Sequence, residues 1–380
     1  MPPITDPAPR AAAQAHRLTA GEAVELAADW ARLAPSVHNT QPWRLVLQGG
    51  GLALRADRGR QLTVLDPQGR ALTQSVGAAL LNARVSLAAS GWAATVRRLP
   101  DPADSDLLVV VTPVGGPPDQ ALAALAPAVH QRRTNRRAFT GAELPEALLR
   151  RLSGAVAAEG VQLIQVSSER HRRLVARLSQ QADALQNADP AYRAELRRWT
   201  TRLPGSGDGV PPEVVPHVDG RQPDDVRLRD FDTAGLGALP AETHSTSEQT
   251  LLLLATPLDD PAAWLAAGEA LERLLLELTR HGWVASPLTQ AVEVPLTRTQ
   301  LRSALTWDAH PQLLLRIGRA APTPAPPHRL RDDVVENSTR PVLPGTPPPP
   351  GDAVREADAV HRRTTPRHPV SDGRGGTTWG

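Results

Sequence analysis

The sequence contains no cysteine and no lysine, so that all 42 basic residues are arginine. The absence of cysteine excludes disulfides, thiol redox centres, thiolate zinc sites and protein-ligated iron–sulfur clusters. The absence of lysine excludes a P-loop lysine, a Schiff-base lysine and a pyridoxal anchor. The 11 histidines show no H-E-x-x-H or similar pairing, so we expect no metal site. Any redox function must therefore come from a bound organic cofactor.

The chain is also poor in tyrosine, phenylalanine and net charge, which limits the kinds of partner that it could bind. The chain has one tyrosine and two phenylalanines, and its formal charge is only +2. This balance does not favour a nucleic-acid partner. No apolar run is long enough to cross a bilayer, and residues 1–17 lack the apolar segment of a secretory signal. We therefore expect a soluble, cytoplasmic protein without a membrane partner.

The length of 380 residues allows two domains, and the 38 prolines are unevenly placed. Residues 1–17 are rich in proline and alanine, and residues 336–380 form a proline-rich tail. We expect both ends to be disordered, with a folded body of mixed α+β class between them.

A corner motif is the most informative feature. Residues 34–44 read A-P-S-V-H-N-T-Q-P-W-R, between a helical stretch and the apolar run 45–47. A helix that stops at proline and is followed by serine, asparagine and a second proline makes a rigid, polar corner. Such a corner offers backbone donors, a hydroxyl and an amide to the edge of a flat heteroaromatic ring. The alternative is an ordinary capped turn with Trp43 in the core.

The sequence also contains an internal repeat, between residues 77–94 and 268–285. Both segments predict an amphipathic helix that ends at glycine and is followed by tryptophan. We interpret them as parts of two copies of one unit, over residues 18–120 and 130–335. The alternative is chance similarity between two helices rich in alanine and leucine. The identical pairs are Gly77/Gly268, Ala79/Ala270, Leu80/Leu271, Leu87/Leu278, Gly91/Gly282, Trp92/Trp283 and Ala94/Ala285.

The second copy carries an insertion over residues 180–248. It begins in a charged helix predicted over 177–200 and continues as chain rich in glycine and proline. A long irregular segment inside a compact domain is usually functional or disordered.

An arginine-rich segment, residues 132–137, reads R-R-T-N-R-R. Arginine makes bidentate hydrogen bonds to phosphate oxygens, and the threonine hydroxyl can add another. The segment therefore predicts an anion site. The alternative is a solvated basic loop.

Together these motifs resemble the nitroreductase superfamily, and the corner with His38 and Thr40 is similar to its twin-domain, Acg-type branch associated with dormancy in actinomycetes. The resemblance implies an FMN flavoprotein with NAD(P)H as possible reductant. It places the corner at the flavin ring and the arginine-rich segment at the FMN phosphate. The residues so implied are Pro35, Ser36, Asn39 and Gln41 at the ring, and Arg132, Arg133, Thr134 and Arg136 at the phosphate.

Two weaker matches extend the resemblance. Residues 282–288, G-W-V-A-S-P-L, resemble a family turn whose backbone meets the flavin, which implies roles for Gly282 and Ser286. Arg329 precedes a run similar to a family ending whose basic residue contacts the phosphate. The alternatives are a core role for Trp283 and an ordinary surface position for Arg329.

The two copies differ in what they carry. The first has the corner and the second has the arginine-rich segment. The resemblance implies homodimeric relatives in which one subunit holds the phosphate and the other meets the ring. We therefore expect an α+β, nitroreductase-like fold in which two tandem copies form an intrachain pseudo-dimer. This chain would be a monomer or weak homodimer with one FMN and an empty mirror site.

Three functions remain open. The first is flavin-based transfer of hydride from NAD(P)H to nitroaromatics, quinones or similar small-molecule acceptors, with no catalytic side chain. The second is a stress or dormancy protein that sequesters FMN under a lid formed by residues 180–248 and turns over little. The third is a non-catalytic interaction protein without a chromophore.

Overall fold

Two antiparallel sheets and a central pair of long helices position the site. The computed structural model describes residues 18–140, 142–202, 205–215, 226, 228–232, 235, 237, 249–338, 369–371 and 377–379. The expectations for residues 1–17, for most of 336–380 and for part of the insertion fall outside these ranges. The described helices are α1 (Ala20–Ala31), α2 (Arg70–Ala89), α3 (Gln120–Ala123), α4 (Ala126–Val129), α5 (Glu146–Ala157), α6 (Glu169–Ala188), α7 (Pro190–Thr200), α8 (Pro261–Arg280), α9 (Gln290–Glu293) and α10 (Pro295–Leu301).

The strands form two main sheets. The first has the order β3-β4-β2-β1-β9 and the second the order β5-β6-β8-β7. Apart from β9, each sheet is antiparallel and follows the same order along the chain: first, second, fourth, third strand. The strands are β1 (Trp43–Gln48), β2 (Gly51–Ala56), β3 (Ala93–Arg98), β4 (Leu107–Val114), β5 (Gln162–Gln165), β6 (Thr250–Thr256), β7 (Val284–Pro287), β8 (His310–Gly318) and β9 (Val335–Asn337).

Strand β9 joins the first sheet from the far end of the chain. It lies parallel to β1, with Leu45 opposite Val335. The amide of Leu45 donates to the carbonyl of Val334, and Arg44 makes two hydrogen bonds to Glu336. All of these residues belong to one compact unit that ends at position 341. A separate unit contains an antiparallel pair, β10 (Pro369–Ser371) and β11 (Thr377–Trp379).

Local sequence signals explain the central elements. Thr19 and Glu22 form a reciprocal capping box at the start of α1. Asp260 caps α8, which has proline in its first turn. The apolar run of β6 is buried along its whole length because β5 and β8 flank it and helices cover the sheet. No helix of the described residues has the length and apolarity that crossing a membrane requires.

The two repeat helices end in the same way, as the repeat predicts. Gly91 and Gly282 both adopt left-handed backbone, with φ of 81° and 70°. Behind them, the amide of Trp92 donates to the carbonyl of Leu87, and that of Trp283 donates to the carbonyl of Leu278. Each helix is followed along the chain by two strands of its sheet, β3 and β4 after α2 and β7 and β8 after α8.

Helices α2 and α8 cross at two glycines, Gly77 of α2 and Gly268 of α8. A Cβ atom on Gly77 would lie 2.2 Å from the carbonyl oxygen of Leu265, and one on Gly268 would lie 1.9 Å from that of Gln74. The two backbones therefore pack directly on each other. Gly77 and Gly268 are also the glycines that the repeat alignment pairs with each other.

The charged helix that leads into the insertion is longer than predicted and is divided in two. The helix predicted over 177–200 begins earlier, at Glu169, and is broken at Asp189 before Pro190, so that it forms both α6 and α7. Aromatic and aliphatic side chains of α7 and of the following segment pack against the first copy. The residues in this cluster are Leu62, Leu65, Tyr192, Leu196, Trp199, Val210, Val214, Val215 and Phe231.

The crossing predicts a strong effect of one methyl group. Gly268→Ala forces α2 and α8 apart, so we expect it to lower the free energy of unfolding by about 3 kcal/mol. Urea denaturation measures the change. Gly154→Ala in α5 is the matched control because nothing lies within 4 Å of its added Cβ, and we expect it to raise stability by about 0.5 kcal/mol. Equal midpoints for Gly268→Ala and the unmodified protein would contradict the packing argument.

Candidate functional site

The corner motif has a strained backbone. His38, Asn39 and Gln41 all have positive φ, at 46°, 54° and 48°. Left-handed backbone in non-glycine residues is uncommon, and a cluster of it is typical of ligand sites. The turn starts after α1 and ends at Trp43, which is fully buried at the start of β1. Trp43 thus fills the core, as the structural alternative predicts, and anchors the corner.

Most polar groups of the corner already have partners within the chain. The Ser36 hydroxyl accepts a hydrogen bond from the Gln41 amide at 2.9 Å. The Asn39 side-chain amide donates to the carbonyls of Gly209 and Pro327, both at 3.0 Å. The sequence suggested that these groups face a ligand. Of Ser36 and Asn39, the hydroxyl hydrogen of the first and the amide oxygen of the second remain for one, and the buried His38 Nδ1 and Thr40 Oγ1 also have no partner among the described residues.

The arginine-rich segment is held against the second sheet. Thr134 forms a parallel bridge with Ala285, and the amide of Asn135 donates to the Ala285 carbonyl. Arg132 is 3% exposed, and its Nε lies 3.4 Å from Oε1 of the fully buried Glu272 of α8. Burial raises the pKa of Glu272 to about 8, against the opposing effect of Arg132. The segment is therefore a fixed part of the fold, and the alternative of a solvated loop does not describe it.

The corner and the arginine-rich segment meet at one place. Pro35, Ser36, Thr134 and Arg136 line two adjoining cavities of about 510 and 1000 Å³. Arg132 and Asn39 complete the wall of the smaller cavity, together with His328. The larger cavity lies between the first turns of α2 and the middle of α8, and its lining includes Gln74, Ser75, Leu271, Leu275, Gln290 and Leu313.

Arg136 is the cation that both cavities share. Its guanidinium stacks 4.7 Å from the ring centroid of Phe231. No carboxylate of the described residues lies within ion-pair distance of it. Burial, and then the charges of Arg229 and Arg316, lower its pKa to about 10, so it stays protonated at neutral pH. A protonated, stacked arginine without an acidic partner is suited to binding an anion.

The insertion supplies one wall of the larger cavity. Arg229 donates to the Tyr192 hydroxyl at 2.5 Å and forms an ion pair with Glu293. Burial opposes ionisation of Glu293, but Arg229 lowers its pKa to about 2. Phe231 meets His38 edge to face, at 5.4 Å between ring centroids. The wall is thus fixed by a buried ion pair and by an aromatic contact with the corner.

Five of the residues expected at the site lie outside the cavity lining. Arg133 is half-buried and donates to the Arg132 carbonyl. Gln41 and Arg329 bind each other, since the Arg329 amide donates to Gln41 Oε1 at 2.9 Å. The carbonyl of Gly282 accepts a hydrogen bond from Arg319, and Ser286 is buried within β7.

Comparison with known proteins gives close relatives. The chain is 38% identical to "Putative NAD(P)H nitroreductase Rv3131" of Mycobacterium tuberculosis, over 80% of this chain and 88% of that protein. It is 32% identical to "Putative NAD(P)H nitroreductase acg" of the same species, over 82% and 95%. The chain belongs to the nitroreductase superfamily. Within it, the chain belongs to the Acg-type branch, and the fold is the mixed helix-and-sheet, nitroreductase-like fold that the resemblance implies.

Other comparisons are more distant. A nitroreductase with bound FMN from Desulfitobacterium hafniense aligns at 13% identity over 55% of this chain and 95% of that chain, with a TM-score of 0.36. No protein-family model matches the chain.

Several lining residues of this nitroreductase homologue were missed from its sequence. Arg70, Gln74 and Ser75 lie in the first turns of α2, and Glu293 ends α9. Arg70 does leave a sequence signal, because a cation in the first turn of a helix opposes the helix dipole. The other residues lie in ordinary helical sequence and are brought together only by packing.

Ion pairs occupy two positions of α2 and β3 that the repeat offset relates to the lining of the larger cavity. The repeat offset relates Arg84 to Leu275 and Arg98 to Thr289, two residues that line the larger cavity. Arg84 and Arg98 both pair with the fully buried Glu269, at 2.5 and 2.7 Å. Arg84 also pairs with Glu159 at 2.6 Å. The positions that the repeat offset relates to these two lining residues therefore carry ion pairs.

His38 makes stability depend on pH. Burial, and then Arg229, lower its pKa from 6.5 to about 3. Between these values the unfolded chain binds a proton that the folded chain does not, so stability falls as the pH falls below 6.5. Between pH 6.5 and 5, we expect the free energy of unfolding to fall by about 2 kcal/mol less in His38→Gln than in the unmodified protein.

Urea denaturation at several pH values measures this slope. His281→Gln, at the exposed end of α8, is the control for histidine replacement as such. An unchanged slope in His38→Gln would show that His38 does not titrate in this way.

Proposed function

We propose that this chain is an FMN-dependent NAD(P)H oxidoreductase of nitroreductase type. One observation carries the proposal: the corner and the arginine-rich segment, which lie almost 100 residues apart in sequence, line the same pair of cavities. Small nitroaromatics, quinones or similar electron acceptors are the substrates that fit a reducing flavin in such a cavity.

The residues of the two cavities fit the two ends of FMN. Arg132, Thr134 and Arg136 offer charged and hydroxyl donors in the smaller cavity, where a phosphate would bind. The larger cavity combines apolar walls from α8 with the polar side chains of Gln74 and Gln290, as a planar ring with polar edges requires. The unpaired charge of Arg136 at their junction supports this orientation. Arg133, Gln41, Gly282, Ser286 and Arg329 would then act from outside the cavity.

We also propose that the chain is an intrachain pseudo-dimer of two tandem copies with one flavin site. The equal strand order of the sheets, the equal helix endings and the pairing of Gly77 with Gly268 support this arrangement. The ion pairs that Arg84 and Arg98 make with the buried Glu269, at the positions related by the repeat offset, support a single flavin site. A monomer or weak homodimer is then expected, because the partner half is already present in the chain.

FMN, when bound, supplies the hydride chemistry, and the protein residues position it and control access. Arg136 and Arg229 place positive charge beside the ring cavity, where it favours electron-rich ligands. Phe231 and the apolar face of α8 exclude water. His38 is neutral above about pH 3. Any proton that the reaction needs can come from the solvent. No side chain of the cavity needs to act as a general acid or base.

Arg136 allows a direct test of cofactor binding. We expect Arg136→Gln to weaken FMN binding by about 10- to 100-fold, because a charge-assisted contact to the phosphate is lost. Fluorescence titration of the apoprotein with FMN measures the dissociation constant. Circular dichroism checks that the fold is intact, which we expect because Arg136 has no carboxylate to leave unpaired.

The control is Arg97→Gln, which removes an exposed arginine from the edge strand β3 and should leave FMN binding unchanged. Equal affinities in all three proteins would overturn the phosphate assignment. If the unmodified protein binds no FMN, the non-catalytic interaction protein becomes the better hypothesis.

A second candidate function is flavin sequestration under a lid. The observation that favours it is the number of bonds that hold the insertion over the cavity. Gln41 donates to the Gly207 carbonyl, Asn39 to that of Gly209, and Arg60 pairs with the buried Asp208. With the ion pair of Arg229 and Glu293, these bonds oppose opening. A covered ring receives hydride from a nicotinamide only when the cover moves.

Phe231 discriminates between the two functions. If the insertion is a closed lid, Phe231→Ala should speed flavin reduction by NADPH at least tenfold, because it removes the aromatic contact with His38. The measurement is the bleaching of flavin absorbance after anaerobic mixing. Rapid bleaching of the unmodified protein, with no gain in the variant, would favour the open reductase. Trp307→Ala is the control, since Trp307 is exposed and lies outside the cavity lining.

A further inference from the structure

A third cavity adjoins the proposed ring cavity. It has a volume of about 990 Å³ and shares Arg70, Val292 and Glu293 with the larger cavity of the site. Its other walls are the start of α2, the segment before it, helix α10 and the beginning of β8. Nothing in the function proposed above uses this space.

Two arginines of this third cavity have incomplete hydrogen bonding. Arg70 is 9% exposed, and its Nη2 donates to the Val292 carbonyl at 2.5 Å, but its buried Nη1 has no partner. Arg302 has a buried Nε without a partner, and no carboxylate of the described residues lies within ion-pair distance of it. Buried guanidinium nitrogens are rarely left without acceptors. Both arginines therefore have donors available for a ligand.

The carboxylates of the cavity are already bound to other groups. Asp259 accepts two hydrogen bonds from Arg298, at 2.7 and 2.8 Å. Glu293 pairs with Arg229, and Asp66 accepts the backbone amide of Leu72 at 2.9 Å. His310 adds no charge at neutral pH, because burial and Arg302 lower its pKa. No carboxylate of the described residues pairs directly with Arg70 or Arg302, although Glu293, Asp259 and Asp66 act on Arg70 from a longer distance.

The position of these arginines is costly for the fold. Arg70 is the first residue of α2, where the helix dipole disfavours a cation. Arg302 begins a π-helical turn, Arg302–Thr306, which follows α10. Single π-turns are rare and are found mostly at functional sites. Both unfavourable features lie at one cavity, which indicates that a ligand bound there stabilises them.

We propose that Arg70 and Arg302 form an oxyanion-binding pocket for the phosphate or carboxylate of a molecule whose other end reaches the ring cavity. Arg70 lines both cavities, so one ligand can contact it from either side. Two sources share this chemistry: the pyrophosphate of the nicotinamide reductant and the carboxylate of an anionic acceptor. The proposal deepens the proposed oxidoreductase function and rests on it for the role of the ring cavity.

The test compares charged probes with neutral ones on the full-length protein. Isothermal titration calorimetry measures 4-nitrobenzoate against 4-nitrobenzamide, and ADP-ribose against adenosine. We expect the charged member of at least one pair to bind ten times more tightly or better. Preference in the first pair assigns the anion to the acceptor, and preference in the second assigns it to the reductant. Equal binding within both pairs overturns the pocket without any variant.

Variants then locate the preference. Arg302→Gln should reduce it about tenfold, and Arg302→Lys should retain part of it, because the charge persists without the guanidinium geometry. Arg150→Gln is the matched control, since it removes an equally charged side chain from the exposed face of α5. A preference that Arg302→Gln leaves unchanged overturns the assignment. FMN retention, read from visible absorbance in the same samples, shows separately whether the flavin site is intact.

Discussion

The direct contact between the backbones of α2 and α8 is the constraint on which the rest of the molecule depends. With glycine at both Gly77 and Gly268, the helices approach more closely than any side chain would allow. Within about one turn of this crossing, α2 contributes Gln74 and α8 contributes Leu271 to the same cavity wall. The distance between these two lining residues follows from how closely the helices pack. A larger residue at the crossing would therefore change the candidate site without touching it.

Local signals made much of this arrangement predictable. The Gly-Trp endings specify a left-handed turn and the start of a strand, and both are properties of a few consecutive residues. The corner motif was likewise predictable because proline and asparagine restrict the backbone locally. The family follows from the same motifs and from the relatives. The positions that the repeat alignment pairs lie at the helix crossing and at the helix ends, where glycine is required locally.

What the sequence did not predict depends on contacts between distant segments. Asn39 lines the smaller cavity, and its side-chain NH2 group binds the carbonyls of Gly209 and Pro327, contacts that no local pattern links to it. Arg70 and Glu293 reach the same cavity through a contact between distant segments, in which the Arg70 side chain donates to the Val292 carbonyl of α9. The early start of α6 was missed because residues 169–173 read E-R-H-R-R, so that no apolar side chain marks the helix before Leu174.

The parallel pairing of β9 with β1 has a consequence for how the chain is made. Strand β1 emerges from the ribosome almost 300 residues before β9, so the edge of the first sheet stays open during most of synthesis. An open edge is a template for pairing with other chains, and a contact so distant in sequence forms late. The exposed charge of Arg44 on β1 protects that edge in the meantime, because a charged edge resists aggregation. Once β9 has paired with β1, Arg44 forms an ion pair with Glu336, and the same charge then stabilises the paired edge.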